Sequence, residues 1–234
     1  WKCWKMLEDD AIYSSCQISL DKQKQPPYTS THRKQCLIQA QETKKSSKSI
    51  SEVSKVKAAA PSRETKKLSQ VIAEFVTGFD LKNVPSVAID RARVAFIDTV
   101  GVMLAGSRMP ASDIVCDMVK LEGSAPAASI VGQSLRASPQ LAALANGVAA
   151  HAMDYDFSYI SGQSVSPVIP AILPIAETVG ASPAESIAAF IIGCEVASRI
   201  VRASPTLSSV GGWHTVSIIG TIAAAAACAR LLKT

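Results

Sequence analysis

The chain has 234 residues, of which 48% are hydrophobic and 18% charged, so it holds enough apolar side chains for a sizeable core. Its net charge of +5 is unevenly distributed: residues 1–67 carry 14 basic and 7 acidic side chains, whereas residues 68–234 carry 10 and 12. A nucleic-acid-binding domain would cluster Lys and Arg with aromatic residues on its folded part, and residues 68–234 lack that pattern. We therefore predict no nucleic-acid partner.

Residues 1–67 are predicted to be a disordered basic leader. They are rich in Ser, Gln and Lys, contain Pro26-Pro27 and show little apolar periodicity. Such a segment buries too little apolar surface to offset the entropy lost on ordering. A targeting segment is an alternative, because acidic residues are sparse between Thr43 and Lys67, although the basic residues there are nearly all Lys. The missing initiating Met allows a third origin, an artefact of cloning or of gene prediction.

The six cysteines show neither a C-x-x-C pair nor metal-ligand spacing, and this pattern predicts free thiols and no zinc site. We therefore expect a cytoplasmic protein, or one of the mitochondrial matrix if the leader is a targeting segment. Crossing a bilayer takes roughly 18–20 apolar residues, and the run from Thr215 to Ala229 is too short by this measure. No membrane partner is predicted.

Helical periodicity dominates the rest of the chain. Ala127–Gly132 is the one segment that predicts a strand, because it is short, contains branched residues and is bounded by Pro126 and Gly132. The fold class is therefore an all-α multi-helix bundle with at most one short β segment. Apolar spacing predicts helices over about 68–79, 85–105, 111–121, 138–154, 166–179, 183–203 and 214–232.

Three local signals add detail to these helices. Ser182-Pro183-Ala184-Glu185 is predicted to be a capping box with a first-turn proline. Gly106 is placed as a C-cap, and Gly220 as a site of close helix packing. The apolar stripe of the second helix is expected to contain the residues Val87, Ala88, Val94, Ala95, Ile97 and Val102.

Polar side chains interrupt the apolar sequence at His151, Asp154 and Asp156. An unpaired buried carboxylate or imidazole costs several kcal/mol, so these groups should reach a cleft or satisfy one another. A carboxylate at a helix C-terminus also needs a compensating partner, because the helix dipole disfavours it there. A solvated loop that ends the helix is the alternative, and a metal site built from the same three residues is a weaker one.

The second polar stretch is Gly211-Gly212-Trp213-His214-Thr215, which precedes the last helix. The N–H groups of a helix N-terminus attract anions, so an imidazole there suits both carboxylate binding and proton transfer near neutral pH. A histidine that only caps the helix is an equally good interpretation. We expect the two polar stretches to meet in one cleft.

Three segments, ALANGVAAHAMDYD, SPVIPAILPIAE and GWHTVSIIGTIAAAAACARLL, resemble the MmgE/PrpD family in their order and spacing. This family includes 2-methylcitrate dehydratase and cis-aconitate decarboxylase. The resemblance covers about residues 68–232 and implies a large all-α domain followed by a smaller α+β lid. It also implies an active site between the two domains that needs no metal or organic cofactor and acts on tricarboxylate-like substrates. Residues 68–234 would then be the helical domain, truncated before the lid.

The resemblance also implies roles for individual residues. Asp154 corresponds to the first aspartate of the family motif and His214 to the histidine before the alanine-rich helix, and these two are the predicted catalytic residues. Phe157 stands where relatives commonly have a further aspartate, and Gln163-Ser164 where they have His-Pro, so the substrate and the reaction stay open. The predicted substrate-binding residues are Tyr155, Asp156, Ser158, Gln163, Ser164, Trp213 and Thr215.

The predicted function is thus a cofactor-independent lyase domain, a dehydratase or decarboxylase of a small di- or tricarboxylate such as 2-methylcitrate or cis-aconitate. A homodimer is expected, as is low activity for a domain without its lid. Two alternatives stay open: a non-catalytic helical scaffold that dimerises, and an isomerase or epimerase acting on a related acid.

Overall fold

The computed structural model describes residues 66–156, 165–204, 206–207 and 212–234. The predicted disordered leader lies outside these ranges except for its last two residues. Within the described ranges the chain forms seven α-helices, and the prediction of an all-α bundle is confirmed. The helices are α1 (Leu68–Gly78), α2 (Ser86–Gly106), α3 (Pro110–Glu122), α4 (Pro139–His151), α5 (Val165–Val179), α6 (Pro183–Ala203) and α7 (Thr215–Leu232), with a short 3₁₀ turn at Leu81–Asn83.

Helix α5 is at the centre of the bundle. It packs against α2, α4, α6, α7 and the β segment described below. Neighbouring elements cover α5 on most sides. As a result, four of its apolar residues have no exposed surface: Val165, Val168, Ile169 and Ile172. The residues at the start of this helix are therefore held on several sides at once.

The β segment is a two-stranded antiparallel hairpin of β1 (Ala128–Ser129) and β2 (Arg136–Ala137). The first strand lies within the predicted segment, whereas the second was not predicted. Glu177 of α5 ties the hairpin to the bundle: its carboxylate accepts hydrogen bonds from the backbone N (2.7 Å) and Oγ (2.9 Å) of Ser129 and pairs with Arg136 at 2.8 Å. Partial burial acts to raise the pKa of Glu177, but these contacts outweigh it, so the pKa is lowered.

Close approach between helices occurs at glycines. A Cβ added at Gly106 of α2 would lie 2.0 Å from the carbonyl oxygen of Ala149 in α4, and one added at Gly220 of α7 would lie 2.4 Å from Cγ of Pro167 in α5. The prediction of close packing at Gly220 is therefore supported. The placement of Gly106 as a C-cap was wrong: it is the last residue of α2, Ser107 is the C-cap, and contact with α4 is what requires a glycine.

The buried face of α2 also differs from the predicted stripe. Ala88 and Ala95 are buried as expected, whereas Val87, Val94 and Ile97 are exposed. The short side chains on the buried face let α2 pack closely against α4, and the larger apolar side chains lie on the opposite side. The buried face consists of Ala88, Ala92, Ala95, Thr99, Met103 and Gly106.

The predicted capping box of α6 is confirmed. Ser182 Oγ accepts a hydrogen bond from the backbone N of Glu185, and the Glu185 carboxylate accepts one from the backbone N of Ser182 at 2.7 Å. Cys116, Cys194 and Cys228 are not joined in disulfides, as predicted. The other three cysteines fall outside the described residues.

Helix α7 corrects the expectation that no segment is long enough for a membrane. Its 18 residues have a mean hydropathy of 1.8, and among the described residues it is the one helix long and apolar enough to cross a bilayer. This criterion uses length and composition alone, and the core helix of a soluble protein also meets it. In this fold α7 packs against α1, α5 and α6.

Replacing Gly106 with Ala is expected to lower the free energy of unfolding by about 1–3 kcal/mol, because the new Cβ would overlap the backbone of Ala149. Gly101 lies in the same helix with open space around it, so Gly101→Ala should raise stability by roughly 0.5–1 kcal/mol. Urea unfolding of both variants measures the difference. Equal effects at the two positions would show that the α2–α4 contact does not require glycine.

Candidate active site

Helix α4 ends at His151, three residues before its predicted end near Asp154. The chain then turns, and the backbone N of Asp154 donates a hydrogen bond to the carbonyl of His151 at 3.0 Å. Asp154 adopts a left-handed conformation with φ of 54°, which Asp tolerates better than most residues. This turn, and not a shared helix face, brings His151 and Asp154 together.

The turn gathers the three polar side chains that the sequence singles out. One ligand-type atom from each of His151, Asp154 and Asp156 lies within 4.8 Å of the other two. Their surroundings differ, since His151 and Asp154 are exposed whereas the Asp156 side chain has no exposed surface. The interpretation of this segment as a solvated loop is therefore wrong for Asp156.

The buried carboxylate of Asp156 has the compensating partners that its position requires. Ser166 Oγ, in the first turn of α5, donates a hydrogen bond to Oδ2 at 2.5 Å. Nδ1 of His151 lies 3.0 Å from Oδ1 and 3.1 Å from Oδ2. These contacts join the end of α4 to the start of α5 through one carboxylate.

Asp98 of α2 belongs to the same neighbourhood, although its position on a helix suggests an ordinary surface carboxylate. Partial burial raises the pKa of Asp98, and the negative charge of Asp156 raises it further. The sequence holds no signal for this coupling, because the two residues are 58 positions apart and only the tertiary structure brings their charges near each other.

Among the described residues, His151, Asp154 and Asp156 are the group with the chemistry to hold a metal ion. A divalent transition metal would need one atom from each at about 2.0–2.2 Å from a common centre. In this arrangement the oxygens of Asp156 already accept hydrogen bonds from Ser166 and contact His151. The contacts fit a hydrogen-bonded network, and the expectation of a metal-free site stays a prediction.

The second polar stretch leads into α7. His214 is the N-cap residue of this helix but makes no capping hydrogen bond with its side chain. Instead, its Nδ1 lies 2.6 Å from Oγ of Ser217. Thr215 Oγ1 donates a hydrogen bond to the carbonyl of Leu207 at 3.2 Å, which fixes the approach to the helix. The imidazole is exposed and available to a ligand.

The structure describes the two predicted aromatic binding residues and leaves three polar ones outside its described ranges. Tyr155 is 67% exposed and Trp213 57% exposed, so both rings can contact a small molecule at the surface. Ser158, Gln163 and Ser164 lie outside the described residues, and their proposed roles stay predictions.

One packing contact relates the two polar stretches. Ser166, which holds Asp156, is followed by Pro167, and the ring of Pro167 lies against Gly220 of α7. Gly220 follows His214 by six residues, or about 9 Å along a helix axis. The first turn of α5 and the second turn of α7 are thus neighbours, while the pairing of Asp154 with His214 stays a prediction.

A separate groove lies elsewhere on the bundle. It has a volume of about 540 Å³, and none of the predicted site residues lines it. Its walls come from α2, α4, the hairpin and the end of α5, and its lining residues are Val100, Ser129, Val131, Asn146, Leu173, Ala176, Glu177, Gly180 and Ala181.

Comparison with models of protein families shows which family the chain belongs to. The model of the MmgE/PrpD N-terminal domain matches residues 70–234. The chain belongs to the MmgE/PrpD family. The predicted resemblance is confirmed, and the helical bundle described above is the family's N-terminal domain.

Curated relatives of this MmgE/PrpD domain include cis-aconitate decarboxylases. The chain is 28% identical to the human cis-aconitate decarboxylase over 174 residues, and 26% identical to the mouse enzyme over 174 residues. It is 26% identical to a cis-aconitate decarboxylase-like protein of Aspergillus oryzae over 171 residues. The matches cover 71%, 71% and 69% of this chain but only 36% of each relative, so the chain spans little more than a third of their length.

Replacing Asp98 with Asn in this MmgE/PrpD domain tests the raised pKa of Asp98. Because the pKa of Asp98 is raised, the folded state binds more protons than the unfolded state above pH 3.8, so this residue lowers stability as the pH rises through that window. Asp98→Asn should therefore raise the free energy of unfolding at pH 7, by less than about 1 kcal/mol because solvent screens a mostly exposed group. The gain should disappear at pH 3.5.

Urea unfolding at pH 7 and pH 3.5 measures this effect. The matched control is Asp90→Asn on the same helix, since Asp90 forms an exposed ion pair with Arg93 at 2.7 Å and its loss should bring no gain. A gain for Asp98→Asn that is the same at both pH values would contradict the raised pKa of Asp98.

Proposed function

We propose that this domain forms the helical half of a lyase active site, which acts on a di- or tricarboxylate such as cis-aconitate or 2-methylcitrate without a cofactor. Membership of the MmgE/PrpD family and similarity to cis-aconitate decarboxylases support the reaction class. The observation that carries the proposal furthest is the packing of Pro167 against Gly220, because it makes the helix that follows His214 a neighbour of the segment that holds Asp156.

In this proposal His214 is the principal acid or base. The first N–H groups of α7 attract a substrate carboxylate, which would place the reacting carbon near the imidazole. In a dehydration, a base removes a carbon-bound proton and an acid protonates the departing hydroxyl. In a decarboxylation, carbon dioxide leaves and the resulting carbanion takes up a proton. Asp154 would orient the imidazole or take part in the proton transfer itself.

The remaining predicted residues would contact the substrate or hold the site in place. Tyr155 and Trp213 offer exposed aromatic surface, and Thr215 fixes the path of the chain beside His214. Asp156 would act from its buried position, as a group that holds its neighbours in place. The chain spans 36% of the length of the human relative. We therefore propose full turnover for the protein expressed from its complete reading frame.

Replacing His214 with Ala should lower turnover roughly 10²–10⁴-fold, because a proton-transfer group is lost while the helix is kept. The assay incubates the protein from its complete reading frame with a panel of di- and tricarboxylates and identifies products by NMR. Thr221→Ala is the matched control, since Thr221 is exposed on the same helix and its hydroxyl only donates to the carbonyl of Ser217. Undiminished turnover of the His214 variant would remove its role, and wild-type protein inactive on every acid would remove the lyase assignment.

A scaffold that pairs with a second copy is the other candidate, and the outer face of α2 supports it. Val87, Val94, Ile97 and Leu104 are 41%, 51%, 75% and 51% exposed, and their spacing of 7, 3 and 7 residues is that of a coiled-coil seam. We propose that this face contributes to a homodimer, which both the lyase and the scaffold hypotheses accommodate.

Ile97→Lys should weaken self-association at least about tenfold, because a charge would replace the most exposed residue of the seam. Sedimentation equilibrium measures the dissociation constant. Ile114→Lys, at a similarly exposed position of α3 (70%), is the matched control and should leave association unchanged. A wild-type chain that stays monomeric up to about 100 µM would exclude the dimer.

A further inference from the structure

His151 is held against a buried carboxylate at the end of α4. It ends α4, and its Nδ1 faces both oxygens of Asp156 at 3.0 and 3.1 Å. The Asp156 side chain is fully buried, whereas the His151 side chain is 45% exposed. One edge of the imidazole is therefore held against a buried carboxylate, while the residue as a whole reaches solvent.

The carboxylate decides which ring nitrogen carries the proton. An ionised carboxylate only accepts hydrogen bonds, so Nδ1 of a neutral imidazole beside it must be the N–H donor. The lone pair then lies on Nε2, because a neutral imidazole has one protonated and one unprotonated nitrogen. The unprotonated atom is the one that can take a proton from a ligand.

Ser166 fixes the carboxylate itself. Its hydroxyl donates to Oδ2 of Asp156 at 2.5 Å, and Ser166 is buried in the first turn of α5. The three side chains come from the end of α4, from the following turn and from α5, so rotation of the imidazole would have to break contacts with a buried group. Proton-transfer sites commonly use a buried aspartate in this way, to hold an imidazole in one tautomer and one orientation.

The surroundings of His151 suit a small polar ligand more than a purely structural contact. Asp154, whose side chain lies in the same cluster, is exposed beside it, and Asp98 of α2 is coupled to Asp156. With 45% of its side chain exposed, His151 can be reached by a ligand. The exposed imidazole and the predicted catalytic Asp154 lie at one surface.

We propose that His151 is a proton-transfer group of this domain, with Asp156 and Ser166 as positioning residues that hold it as the Nδ1–H tautomer and present Nε2 to the substrate. Its role in turnover rests on the proposed function, whereas its tautomer does not. In the lyase reaction Nε2 would accept a proton from a carbon or hydroxyl of the bound carboxylic acid and return it to the product or to water, so the protein is unchanged after each cycle.

The tautomer can be measured on the 234-residue chain. Long-range ¹H–¹⁵N correlation spectra at about pH 8.5, where an ordinary histidine is neutral, distinguish Nδ1–H from Nε2–H. The Nδ1–H form of His151 is expected to predominate in the wild type. Asp156→Asn should shift His151 towards a mixture of tautomers, and Ser166→Ala should do so to a smaller extent. The signals of His214 should stay unchanged in both variants.

Two variants are measured so that the test still works if one of them does not fold. If Asp156→Asn does not fold, Ser166→Ala still tests the network, because it keeps the buried carboxylate and removes one hydrogen bond. A wild-type His151 in the Nε2–H form, or a tautomer that is unaffected in every folded variant, would overturn the proposed network.

Turnover supplies the second readout, with the protein from its complete reading frame and the panel of carboxylic acids. His151→Gln should lower kcat about 10²-fold with a much smaller change in KM, because it removes proton transfer and keeps a polar side chain. If His151 of the wild type is the Nδ1–H tautomer but the His151→Gln variant keeps the wild-type kcat, His151 has no role in turnover. A wild-type protein without turnover would overturn the proposed function and this role together, while the spectra would still decide the tautomer.

Discussion

The buried carboxylate of Asp156 is the constraint on which the candidate site depends. A carboxylate removed from water must be stabilised by nearby donors, and Ser166 and His151 are two of the groups that contact it. Meeting this requirement fixes the geometry of the turn after α4, because the imidazole and the hydroxyl must stay within hydrogen-bonding distance of the carboxylate. The polar cluster is thus both a structural joint between α4 and α5 and the most organised chemistry in the described part of the chain.

Close helix packing makes this joint possible. Gly106 lets α2 approach α4, and Gly220 lets α7 approach the start of α5 at Pro167. Both contacts act near the ends of helices that carry site residues, His151 on α4 and Ser166 on α5. Close approach at these glycines therefore accompanies the meeting of polar residues at the end of α4 and the start of α5.

This arrangement relates the family assignment to chemistry. The MmgE/PrpD domain supplies two exposed histidines, one at the C-terminus of α4 and one at the N-terminus of α7. The two helix ends carry opposite partial charges, so they favour different partners: the N-terminus of α7 favours a substrate carboxylate, and the C-terminus of α4 favours a cation such as a protonated imidazole. A reaction that both removes and donates protons can use two such groups in different electrostatic environments.

The sequence alone determined the positions of the helices, the capping box at Ser182 and the family, because these depend on residues within a few positions of one another and on ordered motifs. It also identified His151, Asp154 and Asp156 as a polar cluster. Only the tertiary structure decided that α2 buries its alanine face and leaves Val94 and Ile97 exposed, that Asp156 is buried against Ser166, and that Asp98 is coupled to it. Burial and pairing depend on which helix packs against which, and a local pattern of apolar residues does not specify its partner.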